Sequence, residues 1–407
     1  PAKPDAQVTL MNLGKPAYNN WAFRNMSIQP GVMIPRSGAV YSLIQAPNPA
    51  IANIKFKYQG KSFTVRQSMV EDNTDGFLVI KDGKVVYEEY FGDFTERDHH
   101  MWASSTKSLT ALSIGILVSQ GKVDVNNKVE RYIEELKGTY FGQRTVREIL
   151  NMVSALDYSE DYENFTPGSV STEYFRRMGF LLPAFEFMAI DPTKDDTPRG
   201  ILGFLPQFEK NPNLDPRTKF EYHSPNVDVA GWIIARVSGQ PLNKFIADNI
   251  WAKIGAEHDA FMMTDATFTP VATGGLNTTL RDFARVGLAV LNDGAVNGNQ
   301  IFPSSWIDDT FALTDAERQH TKRSAYKDKN GSVYDEWLEG YKNYLWVHNS
   351  KKGIGTFRGV YGQNLYINKD KNVVIATFSS TTTASNAARL TNRPRMAAFE
   401  AIANQLK

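Results

Sequence analysis

Cysteine is missing altogether from the 407 residues. Its absence removes disulfides, thiolate nucleophiles and cysteine-ligated metals from consideration. An excess of one charge is missing too: 45 basic residues face 44 acidic ones, for a net charge of +1. A chain that binds nucleic acid would show a basic excess or a basic cluster, and neither is present. No run approaches the ~18 apolar residues a membrane helix requires. The nearest, Met178 to Ile190, is interrupted by Pro183 and Glu186. The six histidines show no H-E-x-x-H or other zinc spacing, so no metal site is expected. Internal repeats and low-complexity tracts are absent. Lack of cysteine suits an exported protein, and a start at Pro1 suits a removed leader or a trimmed chain. The periplasm or the exterior is therefore the expected location, with the cytoplasm as the alternative.

What is present is the composition of an ordinary globular protein, 42% apolar and 22% charged. Residues 1–75 carry scattered prolines and the apolar anchors Trp21, Phe23, Tyr41, Ile51 and Phe56. They read as an N-terminal arm packed on the main domain. Phe77–Ile80 and Val85–Tyr87 flank Asp82-Gly83, a tight-turn signal, and predict a hairpin. Leu109, Leu112, Ile116 and Leu117 recur at helical spacing, with Gly121 as the stop. Ser224-Pro225 opens a second helix, serine at the cap and proline in the first turn, and Gly239 ends it. Asn364–Ile367 and Val373–Phe378 predict another hairpin, and 395–406 a closing helix. Strands at both ends with helices between give an α/β (α+β) architecture. Residues 76–130 and 281–407 would form an antiparallel sheet flanked by helices, and 131–280 an all-helical subdomain.

Nucleophilic catalysis needs a hydroxyl beside a base. The G-x-S-x-G elbow does not occur, whereas Ser-x-x-Lys occurs at Ser104/Lys107, Ser119/Lys122 and Ser324/Lys327. Ser119/Lys122 straddles a helix end and Ser324/Lys327 lies in a polar stretch. Ser104/Lys107 instead opens the apolar helix, with both side chains on one face. There the helix N-terminus offers free N–H groups and positive potential to an oxyanion. A buried lysine would have a lowered pKa and could accept a proton. The plain alternative is a capping serine followed by a solvated lysine.

Met101-Trp-Ala-Ser-Ser-Thr-Lys-Ser108, with its apolar helix, resembles the active-site helix of class C β-lactamases, DD-peptidases and related esterases. Phe220-Glu-Tyr222-His-Ser224 resembles that family's Tyr-x-Asn landmark, with Ser224 replacing the asparagine that contacts a substrate amide. Gly274-Gly-Leu-Asn277-Thr-Thr-Leu-Arg-Asp282 is characteristic as well. The third landmark, Lys-Thr-Gly or His-x-Gly, is replaced by Arg358-Gly359-Val360-Tyr361-Gly362-Gln363. That form is similar to the 6-aminohexanoate-dimer (nylon-oligomer) hydrolases, as is Glu160-Asp161-Tyr162.

The resemblance implies a β-lactamase-like fold and an acyl-enzyme formed on Ser104. Tyr222, hydrogen-bonded to Lys107, would carry the proton, and the N–H groups of Ser104 and Val360 would hold the oxyanion. Tyr162, Ser224, Asn277, Gly359 and Tyr361 would contact a small-molecule ester or amide, and no cofactor is needed. A β-lactamase or DD-peptidase is the second expectation, weakened because no lysine or histidine stands at the third landmark. A non-catalytic binding protein on the same fold is the third, and it would have lost the serine, lysine or tyrosine.

Overall fold

The computed structural model describes residue 8 and residues 13–160, 166–178, 200–324, 338–382 and 395–406. Its backbone is an eight-stranded sheet. The strand order is Gly340–Lys342, Leu345–Asn349, Ile354–Gly359, Gln363–Asn368, Val373–Ser379, Thr74–Lys81, Lys84–Tyr90 and Ile44–Gln45. Every neighbour pair is antiparallel except the last, where Ile44 and Gln45 run parallel to Lys84 and Val85. The predicted hairpin forms, and Asp82 and Gly83 both take positive φ, 50° and 74°. A two-residue turn needs this twist to keep its strands paired.

The central strands are buried at nearly every position because both sheet faces are covered. Side chains alternate across a strand. Phe77 and Val79 therefore face a cluster with Met396, Phe399 and Ile402 of the closing helix Arg395–Gln405. Leu78 and Ile80 face the opposite cluster, with Leu109, Leu112 and Phe283. Full burial of one such side chain is worth about 1.5–3 kcal/mol.

The serine helix, Thr106–Ser119, is buried from Thr106 through Leu117. A helix enclosed on every side belongs to the core rather than the surface, and this one carries Thr106, Lys107, Ser108, Thr110 and Ser113 into it. Gly115 is required there, since a Cβ would fall 2.3 Å from Trp306 Cγ. The helix Leu280–Leu291 packs on the sheet strands Gln363–Asn368, Val373–Ser379 and Thr74–Lys81, and the helix Pro225–Ser238 packs on the serine helix.

Two expectations change. Among its described residues the segment 131–280 has helices and no strand through Trp251 but then adds the strands Ala260–Met263 and Leu276–Thr278. These join Gly31–Ile34 and His100–Met101 in a second antiparallel sheet. The arm is thus more than a wrapping: one of its strands completes this sheet, and Lys55–Tyr58 with Lys61–Thr64 makes its own hairpin. Ser224 precedes the helix Pro225–Ser238 as expected, but its side chain does not cap it. The carboxylate of Glu160 accepts both the Ser224 N–H (3.0 Å) and its hydroxyl (2.5 Å). A negative charge at the positive end of a helix outcompetes a neutral hydroxyl.

Candidate active site

Ser104 lies on a single turn, Ala103–Ser105, that leads into the serine helix. The turn is anchored by Trp102, whose N–H donates to Leu276 O (2.8 Å) and whose indole N–H donates to Thr278 Oγ1 (2.7 Å). Ala103 takes φ +47°, a left-handed conformation usually left to glycine. That reversal brings the chain from strand into helix with Ser104 at the corner.

Lys107, 2% exposed, donates from Nζ to Ser104 Oγ at 3.0 Å and to Thr273 O at 2.8 Å. Its amine lies 5.2 Å from the centre of the Tyr222 ring. Burial lowers the Lys107 pKa to about 8, against the opposing pull of Glu160 and Asp228. A useful fraction of neutral amine is thus present near neutral pH. The same burial raises Asp228 to about 8, even though its carboxylate accepts the Tyr174 hydroxyl at 2.5 Å. His223 is pushed down to about 3 by burial and sits edge-on to Tyr158, a structural neutral histidine.

Tyr222 stacks on Trp346, ring centres 5.6 Å apart, and the Arg358 guanidinium lies 5.2 Å over that indole. Gly359 closes the other side of Ser104. A Cβ on Gly359 would fall 2.3 Å from Trp102 O and 3.1 Å from Ala103 Cβ, so only glycine lets the strand end approach this closely. The approach brings Val360 beside the serine turn.

The structure therefore brings together Ser104, Lys107, Tyr222, Gly359 and Val360. The Ser224 hydroxyl is engaged by Glu160, the reverse of a substrate contact. Asn277 is 1% exposed on a central strand, with Nδ2 donating to Gly275 O (2.8 Å) and Oδ1 buried without a hydrogen-bond partner among the described residues. Tyr361 takes φ +61° and packs its ring on Phe23, centres 4.8 Å apart. Its ring thus contacts the arm. Tyr162 lies outside the described residues. Of the competing Ser-x-x-Lys pairs, Lys122 is exposed beyond its helix and Lys327 is outside the described residues. Among the described residues no group of three or more histidine, aspartate and glutamate side chains converges as a metal site.

Sequence reasoning missed Asp228, Tyr174 and Thr273. Asp228 was accessible as the residue one helical turn after Ser224 on a buried face. Thr273 acts through its carbonyl, which no side-chain pattern reveals. Trp346 is an aromatic in an apolar strand, indistinguishable from core.

A serine at the head of a buried helix, bonded to a lysine one turn on and faced by a glycine-ended strand, defines a serine hydrolase of penicillin-recognising architecture. Residues 65–398 match the beta-lactamase family, and the chain belongs to it. The 6-aminohexanoate-dimer hydrolase of Paenarthrobacter ureafaciens is 27% identical over 381 residues, which cover 93% of this chain and 90% of that one. A Bacillus anthracis structure, provisionally named a 6-aminohexanoate-dimer hydrolase, superposes with a TM-score of 0.83 at 25% identity, over 99% of this chain and 98% of its own. A family VIII carboxylesterase shares the fold, at TM-score 0.55 and 14% identity, over 88% of this chain and 98% of its own. The expected family and fold are both met.

Proposed function

We propose that this hydrolase cleaves small linear amides and esters through an acyl-enzyme on Ser104, and that 6-aminohexanoate oligomers are the amide class to test first. The observation that carries the reading is the 3.0 Å contact between Lys107 Nζ and Ser104 Oγ inside a buried site. Ser104 Oγ attacks the carbonyl carbon while its proton moves to the Lys107–Tyr222 pair. The N–H groups of Ser104 and Val360 hold the developing oxyanion. Tyr222 returns the proton to the leaving nitrogen or oxygen, and water releases the acid by the same route in reverse. Ionising a free phenol at pH 7 costs about 4 kcal/mol. The nearby amine of Lys107 offsets part of that when it is protonated, and accepts the proton itself when it is neutral.

The likeness to 6-aminohexanoate-dimer hydrolases over nine-tenths of the chain supports linear amides. A carboxylate-bearing β-lactam is the second reading, favoured by Arg358 beside the strand end. The test is a panel of p-nitrophenyl butyrate, a linear aminohexanoate dimer and a chromogenic cephalosporin. Hydrolysis of the first two with the cephalosporin at least about 10²-fold slower in kcat/KM, roughly 2.7 kcal/mol of transition-state preference, is the expected result. A cephalosporin rate equal to the ester rate would reverse the ranking.

A further inference from the structure

The two backbone groups assigned to the oxyanion are each flanked by a strained residue. Ala103, just before Ser104, has φ +47°, and Tyr361, just after Val360, has φ +61°. A β-carbon disfavours this conformation, and it persists only where the surroundings over-determine it. Arg395 secures the far side of the second turn by donating to Gly362 O at 2.8 Å. Its near side is secured by the N-terminal arm.

Three arm contacts converge on Tyr361. The fully buried Phe23 packs its ring 4.8 Å from the Tyr361 ring, inside a cluster that also holds Ala103 and Val360. Asn19, 1% exposed, donates from Nδ2 to Ser380 O (3.1 Å) and Thr381 O (2.9 Å). The Thr381 N–H in turn donates to Tyr361 O at 3.1 Å. Gly14 presses from outside: a Cβ there would fall 2.4 Å from the Tyr361 hydroxyl oxygen. All three come from residues more than 300 positions away in the chain.

We propose that the arm is the positioning element of the oxyanion hole. Asn19 and Phe23 hold Tyr361 in its left-handed conformation, and the Phe23 cluster packs on Val360 as well, so the turn that carries the Val360 N–H is held in place. Neither touches substrate, so both act through Tyr361. The proposal rests on the assignment of Ser104 and Val360 as oxyanion donors.

The test uses the full chain with Asn19→Ala, Phe23→Leu and Gly14→Ala. Loss of a whole oxyanion donor costs about 10²–10³ in kcat, so a misaimed one should cost at least about tenfold, with KM within about threefold. The infrared carbonyl band of a trapped acyl-enzyme should move to higher frequency, because a weaker hole polarises the carbonyl less. A role confined to packing would lower the melting temperature and leave that band in place. Phe23→Leu opens a small cavity, whereas Gly14→Ala adds a methyl at a partly exposed site and tests the same turn if the buried variant does not fold. Folded arm variants that keep kcat within twofold, or an unshifted band, would overturn the proposal while Ser104 still takes a fluorophosphonate label. A wild type with no label on Ser104 would overturn the site itself, a distinct outcome.

Discussion

On one side of Ser104 lie Lys107, Asp228 and His223, three ionisable groups buried to within a few per cent of full enclosure. On the other lie Ala103 and Tyr361, two residues with backbones in the left-handed region. The proton-transfer corner stores electrostatic cost, and the oxyanion corner stores conformational cost. Burial lowers Lys107 and raises Asp228, both to about 8, so each group carries the cost of enclosing its charge. In the proposed mechanism strain works differently: it would keep two N–H donors aimed before substrate arrives, so that no reorganisation is needed during reaction. The two corners should therefore fail differently when they are damaged.

Ser104→Ala removes the atom both corners serve and should give the largest loss, roughly 10⁴-fold or more in kcat, with the fold intact. Retention of a few per cent of activity in the purified variant would assign the nucleophile elsewhere. Tyr222→Phe damages only the proton-transfer corner. The ring still fills its place on Trp346, so the loss is of proton transfer, about 10²–10⁴-fold in kcat. It should be larger for an amide than for a p-nitrophenyl ester, since an amine must be protonated to leave and p-nitrophenolate need not be. Lys107→Ala should act in the same direction. Equal losses on both substrates in single-turnover measurements would remove Tyr222 as the leaving-group acid.

Gly359→Ala damages the other corner. Its methyl would overlap Trp102 O, a backbone atom that cannot swing aside. The strand and the serine turn must then separate, which should cost about 10²–10³ in kcat. An oxyanion forms with amides and esters alike, so here the two losses should match. A loss confined to amides, or none, would mean that the strand end holds no oxyanion.

How much of this was legible beforehand follows the range of the interactions. Ser104 and Lys107 are three residues apart on one helix, so their contact follows from helical spacing. The hairpins at 82–83 and 369–372 were readable because turn chemistry is local. Tyr222 and Gly359 were found by resemblance rather than by physics, since nothing in their own neighbourhoods points to Ser104. The arm was readable only as apolar anchors: Phe23 promised burial but not its partner, 338 positions on. The strain at Ala103 was invisible, because alanine favours helix and the close approach of Gly359 that accompanies it is tertiary. The two strands at 260–263 and 276–278 were hidden in a segment dominated by helices, and Gly31–Ile34, which pairs with the first of them, lay in the proline-rich arm.

The smallest effect tests whether the proton-transfer corner really carries its cost in buried charge. His223 is buried and held neutral, with its pKa lowered to about 3 from 6.5. In the unfolded chain it takes a proton below about 6.5, while in the fold it resists until about 3. Between those values the unfolded state binds more protons, so stability is full above about 6.5 and falls as the pH drops. At pH 4.5 the loss from this one residue is on the order of 2–3 kcal/mol, since each pH unit below the unfolded pKa contributes a little over 1 kcal/mol. His223→Gln keeps a polar side chain of similar reach that cannot be protonated. Wild type should therefore lose more stability than His223→Gln between pH 7 and pH 4.5, as measured by urea unfolding at the two pH values. All other titrating groups are common to both chains and cancel in the difference. A gap between them that does not change with pH would mean that His223 is hydrated or paired, and that burial is not what keeps it neutral beside Tyr222.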